Sequence, residues 1–219
     1  MNRLSGGLPT MHINHNRSKD KFRDRAILDL EDLLAQPTDK MLRPCHECQE
    51  TCHCGRASKT CCCLCSAKCA FAAHYLSSDA NRYPIESKVL PLVYAMASLR
   101  VVQPCWSCEG HYNALDVFDK KPQVWFYSDS AWYPNLIAHY LADLHFQKKL
   151  GYRWEVAMCP QAYKDEITFT IQPDLTDVAI KRLGQMQADI AVIAENLVVE
   201  MQARSKKHLA LLKKAGSTT

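Results

Sequence analysis

The sequence predicts an α+β fold that consists of a small antiparallel sheet covered by helices, a Cys-rich metal-binding segment and a long C-terminal helix. Two observations predict the layers. From residue 99 onwards, apolar segments of the 219-residue chain follow the order hairpin, helix, hairpin, helix, and short connections join antiparallel strands. The composition, 47% hydrophobic and 23% charged residues, indicates that the chain buries a core of its own.

The first elements are predicted to be helical. Residues 1–17 show no apolar periodicity, so we expect a flexible tail there. From Ser18 onwards apolar residues recur at helical spacing, and Pro37 ends the pattern. The apolar segment 85–98 predicts a buried helix, with Pro91 either in its first turn or at a kink.

The next segments supply the sheet and one further helix. Residues 99–102 and 123–127 each predict a strand, and we expect the two to form a hairpin with a cysteine pair near its tip or base. Residues 134–150 have a continuous apolar stripe, which predicts a helix closed by Gly151. Residues 153–158 and 167–171 predict two more strands, which we expect to pair with each other.

A long amphipathic helix is predicted over residues 177–214. Its apolar residues follow alternating steps of three and four: Leu183, Met186, Ile190, Ile193, Leu197 and Met201. This seam either covers the protein's own sheet or packs against a protein partner, a second copy in a homodimer included. We divide the chain into a tail, residues 1–17, a helical and Cys-rich metal-binding module, residues 18–80, and an α+β core with the long helix, residues 81–219.

The sequence has no apolar stretch that suits a signal peptide or a membrane span, so we expect a cytoplasmic protein without a membrane partner. A reducing compartment keeps thiols available to metals and disfavours a disulfide framework. The net charge of +4 admits a nucleic-acid partner. Support for that partner is weak, because no dense block of basic residues is present and thiolate–metal binding would lower the charge.

Cysteine is the most informative residue type. The chain has 12 cysteines. Most of them lie in one segment, which contains Cys45, Cys48, Cys52, Cys54, Cys61, Cys62, Cys63, Cys65 and Cys69. Thiolates this close together are typical ligands of Zn²⁺, Cu(I) or iron–sulfur clusters. We therefore predict a metal-binding protein.

A second group of candidate ligands contains Cys105, Cys108 and His111. The two Pro-Cys-x-x-Cys segments, at Cys45 and at Cys105, predict knuckles that either share one zinc ion or close separately. In the second case Cys105, Cys108 and His111 supply three ligands and leave an open fourth position. At four ligands per ion, the candidate residues suffice for about two or three zinc ions.

The favoured function is a non-enzymatic zinc-binding protein that acts as an interaction or regulatory module. An alternative is a redox or metal-handling protein that holds an iron–sulfur cluster or Cu(I). The thiols along residues 61–69 resemble, over this short segment only, the cysteines that copper-storage helical bundles and metallothioneins present to Cu(I). A third alternative is an enzyme that uses the open site at Cys105, Cys108 and His111.

Overall fold

The computed structural model describes residues 19–36, 85–159, 167–176 and 182–216, and these residues form an α+β structure. The helices of this part are α1 Lys19–Ala35, α2 Leu90–Leu99, α3 Trp132–Phe146 and α4 Leu183–Gly216. The strands are β1 Gln103–Cys108, β2 His111–Tyr112, β3 Phe118–Lys120, β4 Gln123–Tyr127, β5 Trp154–Cys159 and β6 Thr168–Pro173. The predicted fold class is therefore confirmed, including the small antiparallel sheet and the long C-terminal helix.

The main sheet has four antiparallel strands in the order β1-β4-β6-β5. The predicted pairing of β5 with β6 is confirmed, whereas β4 pairs with β1 at Gln103–Cys108 and not with the predicted residues 99–102. Strands β2 and β3 form a separate two-stranded sheet in the connection from β1 to β4. This small sheet, which the sequence did not predict, carries His111.

The core lies between one face of the main sheet and the helices. Val124, Phe126 and Ile171 are fully buried members of the same apolar cluster as residues of all four helices. Because side chains alternate between the faces of a strand, Trp125 and Thr170, which oppose each other across β4 and β6, lie on the other face. The sheet thus has one face on the core, as predicted.

Helix α4 is the central helix of this core. Each residue of its predicted seam is at most 7% exposed: Leu183, Met186, Ile190, Ile193, Leu197 and Met201. The helix packs against α1, α2 and α3, while α2 lies beside β1 and α3 beside β5. The seam is therefore buried within the chain, mainly against the other helices. Residues 177–181, with which the predicted helix began, lie outside the described residues.

Helix α1 confirms the helix predicted after Ser18 and joins the same core. Leu30 and Leu33 are 0% and 1% exposed and belong to the main apolar cluster. The Ser130 hydroxyl donates to Asp29 at 2.6 Å and the Tyr133 hydroxyl donates to the Asp29 carbonyl at 2.8 Å, so α1 is also tied to the start of α3. The proposed boundary near residue 80 and the tail at residues 1–17 lie outside the described residues.

The strand predicted at residues 99–102 is wrong. Leu99 is the last residue of α2, where its side chain is 2% exposed, and Arg100 ends the helix with a left-handed φ of 60°. The strand begins at Gln103 instead, because hydrogen bonding to β4 runs from Gln103 opposite Tyr127 to Cys108 opposite Gln123. The available partner strand, and not local apolar content, fixes these bounds.

The predicted end of α3 at Gly151 is also wrong. The helix ends at Phe146, and Lys148 adopts the left-handed conformation with φ 57°. Gly151 instead makes a hydrogen bond to α4, because its N–H donates to the carboxylate of Asp189 at 2.8 Å. The Tyr152 N–H and the Trp154 Nε1–H donate to the same buried carboxylate, both at 3.0 Å. Asp189 thus joins α4 to the connection between α3 and β5.

No helix in the described part of the chain combines the length and the apolar character needed to cross a membrane.

Candidate metal centre

The candidate site lies where the turn before α2 meets the connection between β1 and β2. Gly110 makes the close approach at this point possible. Its φ is 82°, and a Cβ on it would lie 2.6 Å from Leu183 Cδ1 and 2.9 Å from Pro122 Cδ. A residue without a side chain therefore lets the connection pack directly against the start of α4.

Three potential ligands meet at this connection. The ligand atoms of Glu86, Cys108 and His111 all lie within 4.8 Å of one another. Cys108 is the last residue of β1, and His111 is the first residue of β2. Glu86 comes from the segment just before α2. The group is thus built from two chain segments that the fold brings together.

Hydrogen bonds hold the two segments in position. Glu86 Oε1 lies 2.8 Å from His111 Nε2, and Glu86 Oε2 accepts the Glu109 N–H at 2.6 Å. In return Glu109 Oε2 accepts the Lys88 N–H at 2.7 Å. Each segment therefore supplies a carboxylate to a backbone donor of the other. Such contacts around a ligand orient it for metal binding.

The Cys108 thiol is in an environment that opposes its ionisation. It is 4% exposed, and burial is the main cause that raises its pKa, with Glu86 and Glu109 adding to the effect. The Gly110 N–H donates to Cys108 Sγ at 3.4 Å and lowers the pKa, as does the charge of Lys120. A thiolate here, beside two carboxylates, needs a compensating cation, and a bound metal ion supplies that charge.

The predicted ligands Cys105 and Cys108 do not form a knuckle. Both lie in β1, where a rise of about 3.3 Å per residue puts their Cα atoms about 10 Å apart. Pro104 opposes Phe126 and Trp106 opposes Trp125, so Cys105 is the extra residue of a bulge. Cys105 is exposed and lies outside the group that joins Cys108 to His111.

The predicted ligands of the Cys-rich segment lie outside the described residues: Cys45, Cys48, Cys52, Cys54, Cys61, Cys62, Cys63, Cys65 and Cys69. Their assignment stays a prediction. Cys159, which the sequence analysis did not propose as a ligand, is the last residue of β5, and burial raises its pKa.

Glu86 is not among the ligands predicted from the sequence. The predicted ligands are cysteines and one histidine, although carboxylates also bind zinc. The available signal was weak: Glu86 is the single acidic residue in the apolar segment between Asn81 and Cys108. Its closeness to His111 depends on the packing of α2 beside β1, which no local pattern encodes.

The donor set suits zinc. One thiolate, one imidazole and one carboxylate are all common zinc ligands, with bonds of about 2.0–2.3 Å. Two such bonds at the tetrahedral angle put ligand atoms about 3.3–3.6 Å apart, which small side-chain movements can reach from separations within 4.8 Å.

Comparisons with protein-family models, with curated proteins and with solved structures found no match for this chain. The function is therefore inferred from the residues of the site itself.

Proposed function

We propose that this chain is a zinc-binding protein in which the metal has a structural or regulatory role and no enzymatic one. The observation that carries the proposal is the grouping of the Glu86, Cys108 and His111 ligand atoms within 4.8 Å. A zinc ion bound there joins the segment before α2 to the β1–β2 connection. Both segments touch the elements that build the core, so metal binding stabilises the fold around them.

The chemistry of the donors favours zinc over the alternative metals at this site. Cu(I) prefers soft sulfur ligands, and iron–sulfur clusters need several thiolates. Here a single thiolate is joined by a nitrogen and an oxygen donor. The alternative of an iron–sulfur cluster or Cu(I) therefore concerns the cysteines of residues 45–69 and not this group.

A catalytic Cys–His–Glu relay fits the geometry less well. In a relay the imidazole stands between the thiol and the carboxylate, which separates those two groups by about 7 Å. Here Cys108 and Glu86 approach within 4.8 Å. A compact triangle is the arrangement of ligands around an ion. The raised pKa of Cys108 also disfavours a nucleophilic thiolate.

The proposed partner of an interaction module would need a surface other than the seam of α4, which is buried within the chain. Val199, which is 64% exposed, lies on the side of α4 opposite the buried seam. We propose this side as the part of the helix that a protein partner or a second copy would contact.

Zinc content tests the metal proposal. Wild type and variants are purified with zinc, dialysed, and analysed for bound zinc per chain by mass spectrometry. We expect His111→Ala and Cys108→Ser to bind about one zinc ion fewer than wild type, because each removes a ligand of the same ion. His111 is partly exposed, so its replacement leaves the core intact.

The matched controls are Cys105→Ser and Cys159→Ser, which remove thiols outside the group and should leave this zinc ion in place. Equal zinc content in wild type, His111→Ala and Cys108→Ser would show that the group binds no zinc. Folding of each variant is checked by far-UV circular dichroism.

A further inference from the structure

We propose that the zinc ion of this site keeps an exchangeable fourth position that binds a carboxylate group, with the ammonium of Lys120 pairing with the bound anion. The inference rests on the proposed zinc site and names a ligand for it.

The site is open on one side. Cys108 is 4% exposed, whereas the side chains of His111 and Glu86 are 42% and 33% exposed. The three ligands found among the described residues leave one position of a tetrahedral ion for a further ligand. Since the thiol lies on the buried side, the remaining position faces the solvent side, where an external ligand can enter.

Lys120 is placed beside this opening by the small sheet. Lys120 in β3 is the direct cross-strand partner of His111 in β2. Directly opposed residues of an antiparallel pair have Cβ atoms about 5 Å apart on the same face. The exposed Lys120 side chain therefore extends next to the His111 ring, and its charge acts on Cys108.

The ammonium of Lys120 suits an anionic ligand. A zinc ion neutralises the Cys108 thiolate and the Glu86 carboxylate, which leaves the positive charge of Lys120 and the negative charge of Glu109 beside the site. The carboxylate of Glu109 is already bound by the Lys88 N–H in the turn that leads into α2. A carboxylate ligand supplies an oxygen donor for zinc and one negative charge for the ammonium.

Cadmium-113 NMR of the full chain tests this inference. ¹¹³Cd replaces zinc, and each bound ion gives a resonance whose position reports its sulfur, nitrogen and oxygen ligands. The resonance that disappears in His111→Ala belongs to the proposed site. Acetate added in chloride-free buffer should shift that resonance in a saturable manner and leave the others in place.

The Lys120→Ala variant should keep the resonance and need roughly tenfold more acetate for half-saturation, the effect of one charge-assisted contact. Lys121→Ala is the matched control. The charge of Lys121 lowers the pKa of Asp174 and of Cys159, which lie outside the site, so its removal should not change the acetate response. A site resonance that ignores acetate, or an acetate response that is equal in Lys120→Ala, overturns the inference and leaves the zinc site standing. The absence of any resonance that depends on His111 overturns both.

Discussion

Single residues decide how closely the segments around the metal site approach one another. Gly110 is the clearest case, because it combines a left-handed backbone with direct contact to α4 and Pro122. The Glu86 carboxylate accepts the Glu109 N–H and the Glu109 carboxylate accepts the Lys88 N–H across the same junction. The site therefore depends on short-range steric fit as well as on the ligands.

Replacing Gly110 by Ala should destabilise the fold by about 3 kcal/mol, since the new Cβ clashes with Leu183 and Pro122 and the residue is held at a positive φ. Urea denaturation followed by circular dichroism measures the free energy of unfolding. The same variant should also bind the site zinc more weakly, because the β1–β2 connection must move.

Gly184→Ala is the matched control for Gly110. A Cβ on Gly184 meets nothing within 4 Å, and the residue lies in the first turn of α4. Alanine there should be neutral or slightly stabilising, by up to about 1 kcal/mol. An equal loss of stability in both variants would contradict the steric argument.

Among the secondary-structure elements, α4 packs against the helices α1, α2 and α3, and α1 contributes residues to the same core. Leu30 of α1 is fully buried, whereas Leu28, two residues earlier in the same helix, is 61% exposed. One face of α1 therefore belongs to the core cluster, and the opposite face is exposed. Helix α1 thus packs with the second half of the chain although it lies far away in sequence.

The variants Leu30→Ala and Leu28→Ala make the same substitution on the buried and the exposed face of α1, and so test whether α1 packs on the core. We expect Leu30→Ala to lower the free energy of unfolding by about 3 kcal/mol, because it leaves a cavity in the core. Leu28→Ala should change it by less than about 0.5 kcal/mol. Urea denaturation measures both. Equal small effects would mean that α1 does not pack on the core in solution.

The whole molecule buries several weak acids that the folded state keeps protonated. Burial is the main cause that raises the pKa of Tyr133, Cys108 and Cys159, and it raises the pKa of Tyr140 to about 12. Tyr140 is 2% exposed, and its hydroxyl donates to the Ile193 carbonyl of α4 at 3.0 Å. The folded protein therefore opposes ionisation of groups that ionise readily when unfolded.

The stability of the protein should consequently fall at alkaline pH. Because folding raises the pKa of Tyr140, the free energy of unfolding is unaffected below pH 10.0, the ordinary pKa of the phenol. It decreases as the pH rises from 10.0 towards about 12. For Tyr140 alone the loss by pH 11.5 is about 2 kcal/mol. Urea denaturation from pH 8 to pH 11.5 measures it in metal-free protein.

Tyr140→Phe is the control for the alkaline loss. This variant has no phenol to ionise, so its stability should be lower at pH 8 and should fall less steeply above pH 10. Parallel pH curves for wild type and Tyr140→Phe would mean that Tyr140 is not the group responsible.

The sequence by itself determined the helices α1 to α4 and the buried face of α4, because apolar periodicity is a local property of the chain. It also pointed to Cys108 and His111, which are close in sequence. The tertiary structure decided the rest. Pairing with β4 set the bounds of β1 and turned the expected Cys105–Cys108 knuckle into a strand with a bulge. Glu86 joins the site only because packing brings it to Glu109, 23 positions away in the sequence. No local sequence pattern encodes such a contact.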